Sequence, residues 1–326
     1  MDEDAVLPDG LATELTGAVM EAIDQAGAGA VAVTSPAPSG RRHVLDAIVD
    51  HIGADRVEQV ALRDHETLPG LPSEGVVVLH DCQMLYERRI DGFEALDAVL
   101  REIVRSDAVV VMGWNRYAWQ YSSQVHAIGR AVRETVAVPD LSREQVGVLL
   151  AETGALDGIE ILDDRDRSSR ILDMEWRSVS AVGFEQQLPV PRVDLSMLRS
   201  SSAEDEGAEE AVMRRVREVS GGFPGVVGQV WWDALQDGKV TYGALEQADI
   251  GPEIDELTAR VLYAVLTNER IGIDHLERLL GSDGVRRVLY RLEDTGTVRS
   301  EEGAVMLEPR ALPVVVDALD RRRLLW

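Results

Sequence analysis

The sequence predicts a parallel α/β domain followed by helical and mixed segments. Three observations predict it. Short, wholly apolar runs recur in the first half, as in Val76-Val77-Val78-Leu79, and such runs suit strands buried on both faces. Stretches of helical spacing separate these runs, which is the order of a parallel sheet. After Ala137 the alternation stops and helix-like stretches dominate.

Taken in order, Leu11–Gln25 reads as an amphipathic helix and Ala30–Val33 as a buried strand. A Pro/Ser/Gly loop, Thr34–Gly40, leads into a helix over Arg41–Ile52, with Val44, Leu45, Ile48 and Ile52 on one face. Val57–Leu62 and Gly75–Leu79 are the second and third strands, Phe93–Arg105 a helix, and Asp107–Gly113 the fourth strand. Ser142–Glu152 reads as a helix behind Asp140 or Ser142 as N-cap. Residues 155–200 are mixed, with strand-like pieces at Ile159–Leu162 and Ile171–Trp176, and Ser200–Glu210 is a polar acidic loop or helix start. Helices follow at 208–219 and 225–236, then at 257–267, 274–280 and 284–294. A β-like Ala304–Leu307 and a last helix over 311–320 close the chain. Three domains are expected: 1–140, 141–250 with an insertion at about 155–207, and 251–326.

Composition bounds the function. The chain has 326 residues, of which 45% are hydrophobic, so it can build real cores. One cysteine, Cys82, excludes an intramolecular disulfide and any multi-cysteine metal site. No apolar run reaches the ~20 residues of a membrane span, and the acidic N-terminus lacks a signal-peptide pattern. The expected location is the cytoplasm. The net charge is -25, from 58 acidic and 33 basic residues, and only Lys239 among the basic residues is lysine. Dense carboxylates with arginine in place of lysine resemble the composition of a haloarchaeal protein. In molar salt the Debye length shrinks to about 3 Å, so net charge does not exclude DNA as a partner.

Strand, Pro/Gly loop and helix form the setting of a phosphate-binding loop. Such a loop needs backbone N–H groups, a lysine for the terminal phosphates and a hydroxyl for magnesium. The octet here is Ser35-Pro36-Ala37-Pro38-Ser39-Gly40-Arg41-Arg42. The spacing and Gly40 are kept, but arginines stand at the lysine and hydroxyl positions, and a cation at Arg42 opposes magnesium. The alternative is an ordinary Pro/Gly turn. Two arginines at a helix N-terminus could hold a phosphate, so ATP or ADP is the cofactor class the octet allows, through Ser35, Ser39, Gly40, Arg41 and Arg42. By counting, His80 or, one residue on, Asp81 takes the magnesium-ordering position after the third strand. Asn115 lies after the fourth strand, either as a γ-phosphate sensor or as a turn asparagine. A metal site at His80-Asp81-Cys82 is disfavoured, because successive strand residues point to opposite faces.

Together these features resemble AAA-type P-loop ATPases of the branch that holds signal-transducing and origin-recognition-like ATPases. Three segments carry the resemblance: Asp81–Tyr86 with Asp91–Leu96, Trp114-Asn115-Arg116-Tyr117-Ala118-Trp119, and Ser220-Gly221-Gly222-Phe223-Pro224. The resemblance implies a helical lid in which Gly221 and Pro224 shape an adenine pocket, and a C-terminal winged helix. The departures are Arg41 and Arg42, His80-Asp81 in place of paired carboxylates, and Phe223 in the lid motif. They point to a protein that keeps the fold and has little or no hydrolysis, with Asp81 and Asn115 as relics of the catalytic set. The expected function is regulatory or scaffolding, through a protein partner. The alternative is a winged-helix DNA-binding regulator using Arg286, Arg287, Arg291 and Arg299, with a wing over about Thr295–Met306. An active ATPase with an atypical loop is the third reading. Trp231 and Trp232 read as core, and Arg321–Arg323 with Trp326 as a helix end packed on its own domain.

Overall fold

The computed structural model describes residues 6–62, 70–126, 128–165, 172–181, 184–193, 207–250, 254–281 and 284–325. Helix α1 (Asp9–Ala26) precedes β1 (Gly29–Ser35), α2 (Arg41–Ile52), β2 (Val57–Ala61) and β3 (Val76–His80). Then come α3 (Glu94–Arg105), β4 (Val109–Asn115), α4 (Arg116–Val125) and β5 (Val132–Ala137). The five strands form one parallel sheet in the order β2-β3-β4-β1-β5.

The apolar runs explain the layers. Alternate residues of a strand face opposite sides, and here both sides are covered. Val31, Val33, Val78 and Val111 join the core that holds Leu15 and Val19 of α1 and Val44 and Ile48 of α2. Ala30, Ala32, Val77, Leu79 and Met112 join the opposite core, with Leu96, Val99 and Ile103 of α3. Every position of β1 and β4 is buried. The edge strands β2 and β5 differ: both are mostly exposed. The sequence of β5, Val-Arg-Glu-Thr-Val-Ala, lacks the apolar run that marks the three inner strands, so the sequence pattern misses it. The fourth strand extends to Asn115, two residues beyond the expected Gly113.

Helix α5 (Arg143–Glu152) starts at Ser142, not Asp140. Ser142 Oγ accepts from Gln145 N at 3.2 Å while Gln145 Oε1 accepts from Ser142 N at 2.9 Å, a reciprocal capping box. The mixed stretch contains β6 (Glu160–Leu162) and a hairpin of β7 (Leu172–Ala181) and β8 (Phe184–Val193). The expected strand piece at 171–176 is thus the start of a longer strand, although Ile171 itself lies outside the described residues. Helices α6 (Ala208–Ser220) and α7 (Pro224–Ala234) pack on each other and on α5. The end of the expected 225–236 helix is instead β9 (Leu235–Gln236), which pairs with β10 (Lys239–Thr241), itself parallel to β6. Trp231 is fully buried and donates its indole N–H to Ala155 O at 2.9 Å. Trp232 is half exposed, so only one of the pair is core.

The C-terminal region runs α8 (Glu256–Asn268), β11 (Arg270–Gly272), α9 (Ile273–Leu280), α10 (Val285–Asp294), β12 (Val298–Glu301), β13 (Ala304–Leu307) and α11 (Leu312–Arg321). Its antiparallel sheet has the order β11-β13-β12. Helix α8 is buried almost all round, at Ala259 and from Val261 to Thr267, as a helix packed on several sides must be. It packs against α4 as well as its own neighbours and so joins the two ends of the chain. No helix among the described residues is long and apolar enough to cross a membrane. Trp326 lies outside the described residues.

Candidate functional site

In open α/β sheets, ligand sites form outside the carboxyl ends of strands where the connections diverge. From β1 the chain runs towards β2, and from β4 it crosses to β5 on the other side. The crevice between β1 and β4 is therefore the place to look. There Ser35 lies in register with Asn115, and Arg41 opens α2.

Arg41 does not point at an open crevice. One guanidinium nitrogen donates to Glu269 Oε1 at 2.8 Å. The other donates to Glu269 Oε2 at 2.9 Å and to Asp81 Oδ1 at 3.0 Å. This is a two-point grip on one carboxylate with a second carboxylate beside it, the strongest form of arginine pairing. The side chains of Arg41 and Glu269 are 10% and 18% exposed. Burial alone works against the charge; the Glu269 and Asp81 carboxylates outweigh it and hold the Arg41 pKa above its ordinary value.

Glu269 is the residue that sequence reading missed. It lies just past the end of α8, 228 residues from Arg41. Its φ is 63° and that of Asp81 is 57°, both in the left-handed region. Each such backbone costs on the order of 1 kcal/mol in a non-glycine residue. The two acids that hold Arg41 both carry that strain, which the ion pairs offset.

Asn115 completes the cluster. It is fully buried, and both ends of its amide are used. Oδ1 accepts from Tyr117 N at 3.0 Å and Ala118 N at 3.2 Å, so it is the N-cap of α4. Nδ2 donates to Leu266 O and to Glu269 Oε1, each at 3.0 Å. Its backbone N–H donates to Gln83 Oε1 at 3.2 Å. Neither sequence reading of Asn115, sensor or turn residue, included a bond to the C-terminal region.

The loop itself is packed over. Gly40 has φ 77°, and a Cβ built on it would lie 2.6 Å from Cγ of Leu7. Leu7 is fully buried and its N–H donates to His43 Nδ1 at 3.0 Å, so the chain ahead of α1 straps the loop. Pro38 O accepts from Gly225 N at 3.1 Å, and a Cβ on Gly225 would come within 2.6 Å of that oxygen. Pro36 and Pro38 have no N–H to offer a phosphate. Ser35 Oγ and Ser39 Oγ are buried without a hydrogen-bond partner among the described residues; they are the two groups still suited to a ligand. Arg42 is exposed on the first turn of α2. Gly221 ends α6 and faces the Phe223 ring and Pro313, while Pro224 is buried as the first residue of α7.

Between the two candidates after β3, Asp81 is the one that meets the loop. His80 turns aside, with Nε2 3.2 Å from Gln59 Oε1 on β2. Cys82 is buried, its thiol donating to Leu79 O at 3.4 Å. No group of three or more candidate metal ligands occurs among the described residues. Burial lowers the His80 pKa, against the opposing pull of Asp81. The unfolded chain therefore binds a proton more readily than the folded one, and stability falls as pH drops below the unfolded value near 6.5. Denaturant titrations between about pH 5 and pH 8 should show stability rising with pH, and His80→Gln should flatten that rise.

The arginines expected to face DNA are partly tied to acids. Arg286 on α10 donates to both oxygens of Glu277, at 2.6 and 3.1 Å, with Asp274 at 3.6 Å. Arg291 donates to Thr258 Oγ1 and lies 3.8 Å from Asp255. Arg299 lies 3.6 Å from Glu301. Arg287 is exposed on the same helix, beside Tyr290, which is 69% exposed. The structure does not bring these four arginines together as a free basic face.

No family model matches the chain, and no curated protein matches it. Solved structures do overlay on it. A variant of Thermotoga maritima RuvB is 12% identical, with 95% of each chain covered and a TM-score of 0.41. The Aeropyrum pernix ORC2 protein, in ADPNP and ADP complexes, is 11% identical over 99% of this chain and 97% of its own, with a TM-score of 0.40. A Walker-type ATPase of Pyrococcus abyssi is 12% identical over 93% and 95%, with a TM-score of 0.42. At these scores the overlays add nothing to the strand order. That order, with a loop and helix after an interior first strand, is a parallel α/β sheet of the class the sequence predicts.

Proposed function

We propose that this chain is an ATPase-like regulatory or scaffold protein whose phosphate loop has been turned into an internal lock. In this reading residues 1–140 form the P-loop-like domain, 141–250 a helical lid and 251–326 a winged helix. The observation that carries it is the two-point grip of Arg41 on Glu269. In an ATPase the cation at this position reaches the terminal phosphates. Here its charge is matched by a carboxylate from the C-terminal region.

Three further contacts support the reading. Leu7 covers Gly40, Pro38 is pressed against Gly225, and the amide of Asn115 is saturated. ATP or ADP would have to displace these groups and leave Glu269 beside a phosphate, a like-charge clash. Bound nucleotide is therefore weak or absent, and no step of hydrolysis is assigned. The orphaned hydroxyls of Ser35 and Ser39 are too few to outweigh that clash.

Function then rests on protein contacts. The pairing of Arg286, Arg291 and Arg299 with acids favours docking of a protein over DNA at the C-terminal region. The test is turnover: purified protein in molar KCl, with ATP and magnesium, should release no phosphate above a heat-inactivated control. Sustained magnesium-dependent turnover that disappears in Arg41→Ala would overturn the proposal.

A further inference from the structure

A cavity of about 660 Å³ lies away from the phosphate loop, between the Tyr86–Arg88 segment and helices α8 and α9. Ligand sites commonly have about 300–1,000 Å³ and form at junctions between parts of a fold. Its walls are largely apolar and aromatic: Tyr86, Tyr263, Ala259, Ala264, Leu279 and Leu280.

The charge on its lining departs from the rest of the chain. Acids outnumber bases 58 to 33 overall. This cavity has Arg88, Arg260 and Arg322 against Glu87 and Glu256, with His275. The acids are already engaged: Glu256 pairs with Arg260, and Glu87 contacts Arg89 and lies 3.5 Å from His275. Arg88 is held in place, its guanidinium 4.7 Å from the ring centroids of both Tyr121 and Tyr263. Arg322 donates to the carbonyls of Ala318 and Ile254, and among the described residues no carboxylate pairs with it.

We propose that this cavity binds an amphipathic organic anion: a carboxylate carried on an apolar or aromatic body. The body fills the space between Tyr263 and the leucines of α9, and the carboxylate meets Arg322, with Arg260 beside it. Such a ligand would touch the α/β region and the C-terminal region at once. It would do so on the helix whose end carries Leu266 and Glu269, the partners of Asn115.

The test is calorimetric titration of the full chain with phenylbutyrate and with its uncharged amide. A charge-assisted hydrogen bond should make the carboxylate bind about tenfold tighter than the amide. Arg322→Ala should erase that preference while amide binding persists; Arg260→Ala should reduce it. Both side chains are exposed, so both variants should fold, and circular dichroism checks that they do. Absence of saturable binding, equal binding of the two ligands, or a preference that survives in both variants would overturn the proposal. ATP plays no part in the assay, so its outcome is independent of the phosphate-loop reading.

Discussion

Glu269→Ala should destabilise the protein by about 3–5 kcal/mol, the cost of removing one partner from a buried ion pair. The variant leaves the Arg41 guanidinium buried with only Asp81 to balance it, and that carboxylate is 30% exposed. It also removes an acceptor from Asn115. Glu269 belongs to the C-terminal region and Arg41 to the α/β region, so the loss should loosen one against the other. Limited proteolysis should then cut faster in the chain just ahead of α8. Replacing both partners by apolar residues, Arg41→Met with Glu269→Leu, should recover part of the stability, because the buried guanidinium is gone and the one carboxylate left without its cation, Asp81, is 30% exposed. A large coupling energy in this double-mutant cycle is the expected signature. Independent, additive effects would mean that the pair is not a lock.

Asn115→Ala should cost about 2–4 kcal/mol in denaturant unfolding. The N-cap of α4 accounts for ~1 kcal/mol. The rest comes from Leu266 O, left without its side-chain donor, and from Glu269 Oε1, which keeps only Arg41. Asn115→Asp separates the two parts. It keeps the cap but sets a carboxylate against Glu269, so it should be at least as damaging as alanine. A residue kept only to sense a nucleotide would show neither effect on the free protein.

Much of the fold was legible because burial on both faces leaves apolar strands in the sequence. Val76–Leu79 and Val109–Met112 declare themselves, whereas β5 does not, since an edge strand tolerates Arg133 and Glu134. Ser142 and Asp140 are both sound caps on paper, and only the reciprocal bond with Gln145 decides between them. At the site, Arg41, Asp81 and Asn115 were readable from the spacing of strand ends and loop. Their partners were not. Glu269 and Leu7 reach the loop through tertiary packing across 228 and 33 positions, and a glutamate at a helix end carries no local sign of its target. The same limit applies to Arg286 and Arg291. Helical spacing places them off the buried stripe of α10, but it does not show that Glu277 and Asp255 hold them.

In the proposed lock, the protein's own groups fill the phosphate site. Calorimetric titration of ATP and of ADP into the full chain in molar KCl, with and without magnesium, tests it most directly. No saturable heat is expected from the wild-type protein under any of these conditions. Saturable binding in the micromolar range that is lost in Arg41→Ala would contradict it, because Arg41 would then be holding a phosphate and not Glu269.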